Sequence, residues 1–143
     1  MTLTIDDELL QKCGGGSSEY WFSYRDYTIK SIYELEDLEK PEGIGQTAYL
    51  VSLGIIPFLT VSNEEIMRAF VKKRGSAKLN GILAKVHSED FIETFWKYFN
   101  AYPELKDGLN EFAEKFLVEQ LCEWCRENNI SYELSADLQK RTA

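Results

Sequence analysis

A chain of 143 residues that is 44% hydrophobic and 13% aromatic is long enough to bury a core without help from a metal or disulfides. Its 24 Asp and Glu against 16 Lys and Arg give a net charge of −8. That balance weighs against general nucleic-acid affinity, because a protein that neutralises many phosphates normally presents a net positive surface.

The chain opens Met1-Thr2-Leu3-Thr4-Ile5-Asp6-Asp7-Glu8, with acids where a secretory signal would carry positive charge and then an apolar run. Three cysteines are an odd number in a composition unlike a disulfide scaffold, so reduced thiols and a cytoplasmic location are expected. Ile5 to Lys12 reads as a short amphipathic segment. It gives way to a Gly/Ser-rich loop over residues 13–18, Cys13-Gly14-Gly15-Gly16-Ser17-Ser18. That loop neither follows a strand nor continues into the Gly-Lys-Ser/Thr signature of a phosphate cradle.

Glu19 to Arg25 (EYWFSYR) is aromatic-rich, with Tyr20, Phe22 and Tyr24 on one side of an extended chain, and predicts a strand. From Thr28 the pattern predicts an amphipathic helix: Ile29, Ile32, Tyr33 and Leu35 alternate with Glu34, Glu36, Asp37 and Glu39, and Lys40-Pro41 stops it. The uncharged run Gly43 to Asn63 holds too many Gly, Pro, Ser, Thr, Gln and Asn residues for a membrane span and reads as core. Within it Gln46–Val61 is open between helix and strand, and Pro57 confines any strand in its second half to a sheet edge.

Ser62 stands three residues before Glu65, with Ile66, Met67, Phe70 and Val71 following at helical spacing. This predicts a capped helix to about Arg74. Gly75-Ser76 breaks it, and Ala77, Leu79, Ile82, Leu83 and Val86 suggest a second helix despite Gly81. Ser88-Glu89-Asp90 caps a third, with Phe91, Ile92, Phe95, Trp96 and Phe99 as its packed face. Pro103 opens the last and longest helix, which ends near Asn128-Asn129 with Leu109, Phe112, Phe116, Leu117, Leu121, Trp124 and Cys125 on its buried side. Residues 135–143 read as a frayed tail. The expected fold is mainly α (α+β): one compact domain over residues 1–143, of about five helices with a small N-terminal strand element.

Several of these segments also carry a resemblance. The stretch Ile55 to Val61, the helix Ile66-Met67-Arg68-Ala69-Phe70-Val71 and the Phe-rich helix Phe91 to Phe99 come first. Tyr102-Pro103-Glu104-Leu105, Phe112, and Glu123-Trp124-Cys125-Arg126-Glu127-Asn128-Asn129-Ile130 follow. In that order they resemble an uncharacterised bacterial protein family with no assigned activity, over about residues 55–130. Where that family tends to have Gly-Arg-Gly before its Phe-rich helix and a Trp before the Phe of its last helix, this chain has Val86-His87-Ser88 and Leu109. The resemblance implies a fold and no chemistry.

Cys122-Glu123-Trp124-Cys125 has the spacing of half a zinc site or a thiol redox pair. Only Cys13 and the single His87 could complete a Cys13, His87, Cys122, Cys125 zinc set. A redox pair wants its first Cys at a helix N-terminus, whereas this one lies near a C-terminus among Glu119, Glu123 and Glu127, which raises thiol pKa. Buried structural cysteines are the simpler reading. Histidine-dependent catalysis would rest on His87 alone, with no neighbouring nucleophile signature. No catalytic residue and no cofactor are assigned, and a small enzyme or zinc-stabilised domain stays an alternative.

The distinctive feature is charge segregation. Arg68, Lys72, Lys73, Arg74, Lys78 and Lys85 lie between Ile66 and His87, and that stretch contains no acid. The four cations nearest the first helix's C-terminal half favour its dipole; Lys78 and Lys85 have no such local reason. A non-enzymatic module binding another protein through surface charge is expected. The alternative is a helix-turn-helix-like nucleic-acid binder over residues 62–86, with Lys78, Asn80 and Lys85 reaching bases. An acidic module using Glu34, Glu36, Asp37, Glu39 and Glu42 against a basic partner is a third reading. No membrane association is expected.

Overall fold

A computed structural model of the chain describes residues 1–14, 19–36, 38, 40–75, 77–101 and 108–142. The chain divides into two compact units, Met1–Thr60 with Leu121–Ala143, and Val61–Gln120. Helix predominates, with a few short strands. Among the described residues there are eight helices rather than about five, because segments too brief to display a helical repeat also coil.

In the first unit, β1 (Leu3–Ile5) leads into α1 (Asp7–Gly14), whose start is capped by Asp6 Oδ1 accepting from Leu9 N at 3.0 Å. The Gly/Ser-rich run therefore begins inside a helix at Gly14, and its residues 15–18 lie outside the described ones. The strand predicted from the aromatic run is β2 (Tyr20–Ser23). It pairs antiparallel with β3 (Thr28–Ser31), Trp21 opposite Lys30 and Phe22 opposite Ile29. Thr28–Ser31 is thus a strand where the pattern predicted the start of a helix. Cross-strand packing of β-branched Thr28 and Ile29 overrides the helical spacing, and only α2 (Ile32–Glu36) coils.

The ambiguous segment resolves into α3 (Gln46–Ser52), a turn at Gly54 (φ 79°) and β4 (Ile55–Pro57). The sheet order is β3-β2-β4, so Pro57 sits on an edge strand, where its missing N–H costs no ladder bond. Trp21, Leu35, Leu50 and Ile55 form the core beneath.

The C-terminal segment is not frayed. β5 (Tyr132–Leu134) pairs parallel with β1, Leu3 opposite Tyr132 and Ile5 opposite Leu134. It is followed by α8 (Ala136–Thr142), in which Leu138 is 0% exposed. Ser135 Oγ accepts from Leu138 N at 3.3 Å, and Arg141 pairs with Asp7. The contacts holding this tail come from the far end of the chain, which no local pattern encodes.

The second unit is helical. α4 (Asn63–Arg74) is capped by Ser62, whose hydroxyl accepts from Glu65 N at 3.1 Å, as its sequence predicts. α5 (Ala77–Ala84) and α6 (Ser88–Ala101) follow. Met67, Phe70, Val71, Leu79, Leu83, Phe91 and Phe95 make one core cluster. The buried stripe of α6 is narrower than predicted: Phe91 and Phe95 are inside, whereas Ile92 and Trp96 are 42% and 43% exposed. The predicted helix start at Pro103 lies outside the described residues.

α7 (Leu109–Glu127) runs from the second unit into the first, residues 121–127 belonging to the latter. Its end is a Schellman turn: Asn129 adopts φ 56°, Ile130 N donates to Cys125 O at 2.8 Å and Asn129 N to Arg126 O at 3.2 Å. No helix among the described residues is long and apolar enough to cross a membrane.

Candidate functional site

The six cations of the acid-free stretch divide by what they touch. Arg68 is turned inward. Its Nε donates to Glu64 Oε2 at 3.1 Å, its Nη1 to Leu83 O at 3.3 Å and its Nη2 to Val86 O at 3.0 Å, while the guanidinium stacks 4.0 Å from the Phe91 ring centroid. Leu83 is in the last turn of α5 and Val86 lies two residues past its end, and α5 has no basic residue in that turn. Arg68 therefore supplies from α4 the donors and the positive charge that a helix C-terminus wants. Glu64 Oε2 also accepts from Ser88 Oγ at 3.1 Å, so one carboxylate joins the start of α4 to the start of α6.

Arg74 and Lys73 are exposed yet lie over rings, Arg74 6.0 Å from Phe70 and Lys73 5.8 Å from Phe112. The Arg74 guanidinium also packs against Gly108, where an added Cβ would stand 3.1 Å from Nη2. Lys72, Lys78 and Lys85 are exposed, and among the described residues none forms a salt bridge. Lys78 lies in the first turn of α5 and Lys85 just beyond its end.

Between α4 and α5 opens a cleft of about 350 Å³. Val71, Leu83, Ala84 and Phe91 give it apolar walls, and Arg68, Lys72 and Asn80 supply its polar groups. Among the described residues no carboxylate lines it. Gly75, the C-cap of α4, leaves room for both its own helix and α5, since a Cβ there would fall 2.8 Å from Val71 O of α4 and 3.3 Å from Leu79 Cδ2 of α5. Asn80 Nδ2 donates to Gly75 O at 3.2 Å, so this amide donor closes the helix junction instead of projecting toward a base. No family model matches the chain, and neither the curated proteins nor the solved structures hold a match to it.

The other candidate chemistry gains no such setting. Among the described residues no group of three or more His, Cys, Asp and Glu side chains is placed to hold a metal ion, so Cys13, His87, Cys122 and Cys125 are not assembled into a zinc site. The three cysteines form no disulfide. Cys125 is fully buried, and that burial, with Cys122 adding, pushes its thiol up to about 12. A thiol so disposed is not a nucleophile at neutral pH. Of the acidic run, Asp37 and Glu39 lie outside the described residues, and Glu34 Oε1 accepts from both the N–H and the hydroxyl of Ser31 at 3.4 Å.

The cleft was beyond sequence reading because its walls come from three helices. One signal pointed toward it: Ala84 and Asn80 are small or polar residues at i and i+4 on a helix whose other flank, Leu79 and Leu83, is core.

Proposed function

We infer that the chain is a non-enzymatic binding module whose α4–α5 surface receives an acidic protein segment. One observation carries this reading: an acid-free helix pair presents Lys72, Lys78 and Lys85 to solvent, with Lys72 at the edge of a cleft, in a chain whose net charge is −8. A field of that shape steers a compact acidic patch to one place and repels it elsewhere. A long duplex would meet the acidic remainder as well, and Asn80, the polar side chain best placed for base reading, donates to Gly75 O.

Fluorescence anisotropy with a labelled all-glutamate peptide and a mixed-sequence DNA duplex, titrated at increasing KCl, tests this. The peptide should bind at low ionic strength and weaken as salt rises. The triple charge reversal K72E/K78E/K85E should abolish the binding. Absence of peptide binding at low salt, binding that survives the reversal, or tighter binding of the duplex would each overturn the reading.

A further inference from the structure

We propose that the cleft between α4 and α5 takes an apolar side chain flanked by acidic residues on the partner, so that the recognised segment is an acidic peptide with one hydrophobic anchor. This inference rests on the reading above and goes further in giving the partner a residue pattern. Charge alone explains Lys72, but it gives no reason for a cleft walled by Val71, Leu83, Ala84 and Phe91 with Lys72 at its edge. An apolar ligand alone gives no reason for the absence of carboxylates between Ile66 and His87. A hydrophobic anchor with acidic neighbours satisfies both. The anchor meets the apolar walls, and a neighbouring carboxylate meets Lys72 at the rim.

The size is appropriate. About 350 Å³ is at the low end of the range of about 300–1,000 Å³ for ligand sites, enough for one bulky side chain and too little for a large cofactor. The site is also held ready. Arg68, which forms part of the wall, is fixed by Glu64, by the carbonyls of Leu83 and Val86 and by the Phe91 ring, so little ordering remains to be done on binding. Anchors in such pockets dominate binding energy, whereas rim charges chiefly set association rate and salt dependence.

The test compares the all-glutamate peptide with the same peptide carrying one central leucine. The leucine peptide should bind wild-type protein about tenfold more tightly, and the advantage should persist as salt rises. Ala84 is exposed and lines the cleft, so A84W should fill it, and the two peptides should then bind it equally. K72E/K78E/K85E should weaken both peptides.

Equal affinity of the two peptides for wild-type protein, or an advantage that survives A84W, overturns the anchor and leaves the charge reading standing. Failure of both peptides overturns both. Should circular dichroism show A84W unfolded, methyl NMR of the wild-type protein decides. The leucine peptide, and not the all-glutamate one, must shift the Val71 and Leu83 methyls; equal shifts refute the proposal. Self-association that A84W abolishes would assign the cleft to a second copy of the chain and likewise refute it.

Discussion

Replacing Arg68 separates a cation that builds the fold from one that meets a partner. The side chain makes two charge-assisted hydrogen bonds to the carbonyls of Leu83 and Val86, one ion pair with Glu64, and a stack on Phe91. With the side chain one-third exposed, each carbonyl bond is worth about 1 kcal/mol, below the range of about 1.5–3 kcal/mol for charged groups because solvent screens it. The i,i+4 pair adds about 0.3 kcal/mol, and the stack about 0.5–1 kcal/mol. R68A should therefore cost about 3 kcal/mol. R68K, which keeps the charge and can reach one carbonyl but has no planar fork, should cost about half of that. Urea unfolding followed by far-UV circular dichroism measures the totals. Amide hydrogen exchange in α5 locates them, because losing its C-terminal cap should deprotect that helix first. A loss below about 1 kcal/mol in R68A, or an R68K indistinguishable from wild type, would show that Arg68 does not brace α5.

Two glycines near the cleft should respond with opposite signs. Gly81 lies inside α5 with nothing within 4 Å of an added Cβ, so G81A should raise stability by about 1 kcal/mol. G75A drives a Cβ to 2.8 Å from Val71 O, in the last turn of α4, and to 3.3 Å from Leu79 Cδ2, and should cost about 1–3 kcal/mol by distorting that turn; thermal unfolding of both variants checks the pair. Cys125, buried and with its thiol pushed up to about 12, should resist iodoacetamide at pH 8 in the native state and react once urea unfolds the chain, as read by mass spectrometry. Asp26 is held near 2, below its ordinary 3.8, first by the Thr28 hydroxyl and then by Lys30. Its folded pKa is depressed, so its contribution is present above about pH 4 and disappears as pH falls through about 2. Half of that side chain is exposed, so D26N should cost only about 0.5 kcal/mol at pH 7, and the difference from wild type should close in acid.

What could be read locally was read well where residues a few positions apart decide the outcome. Ser62 caps α4 through Glu65 N, and Asn129 ends α7 in the left-handed region. In both places the deciding interaction spans only a few residues, so spacing alone carries it. Thr28–Ser31 and the C-terminal tail went the other way for one reason. β3 exists because β2 lies beside it, and α8 follows a strand that pairs with β1 across almost the whole sequence. Ile92 and Trp96 mark a subtler limit. Helical spacing groups them with Phe91 and Phe95, but only a neighbouring helix decides how wide a stripe is covered.

The acid-free stretch shows the same division between local pattern and tertiary use within a single feature. Composition identified six cations without a carboxylate among them, and dipole complementarity accounted for those near the end of α4. Tertiary structure sorts them differently. Arg68 leaves the surface to hold the end of α5, and Lys73 and Arg74 settle on rings. Acids within the stretch would have competed for these donors, as Glu64, just outside it, competes for one. Excluding them keeps the guanidinium of Arg68 on the carbonyls of Leu83 and Val86 and leaves Lys72, Lys78 and Lys85 without an ion-pair partner among the described residues. The same absence that stabilises the helix junction thus creates the cationic surface, so variants that introduce a glutamate there should lose stability and acidic-peptide binding together. Lys85→Glu, beyond the end of α5 and outside the cleft walls, should by contrast lose binding alone.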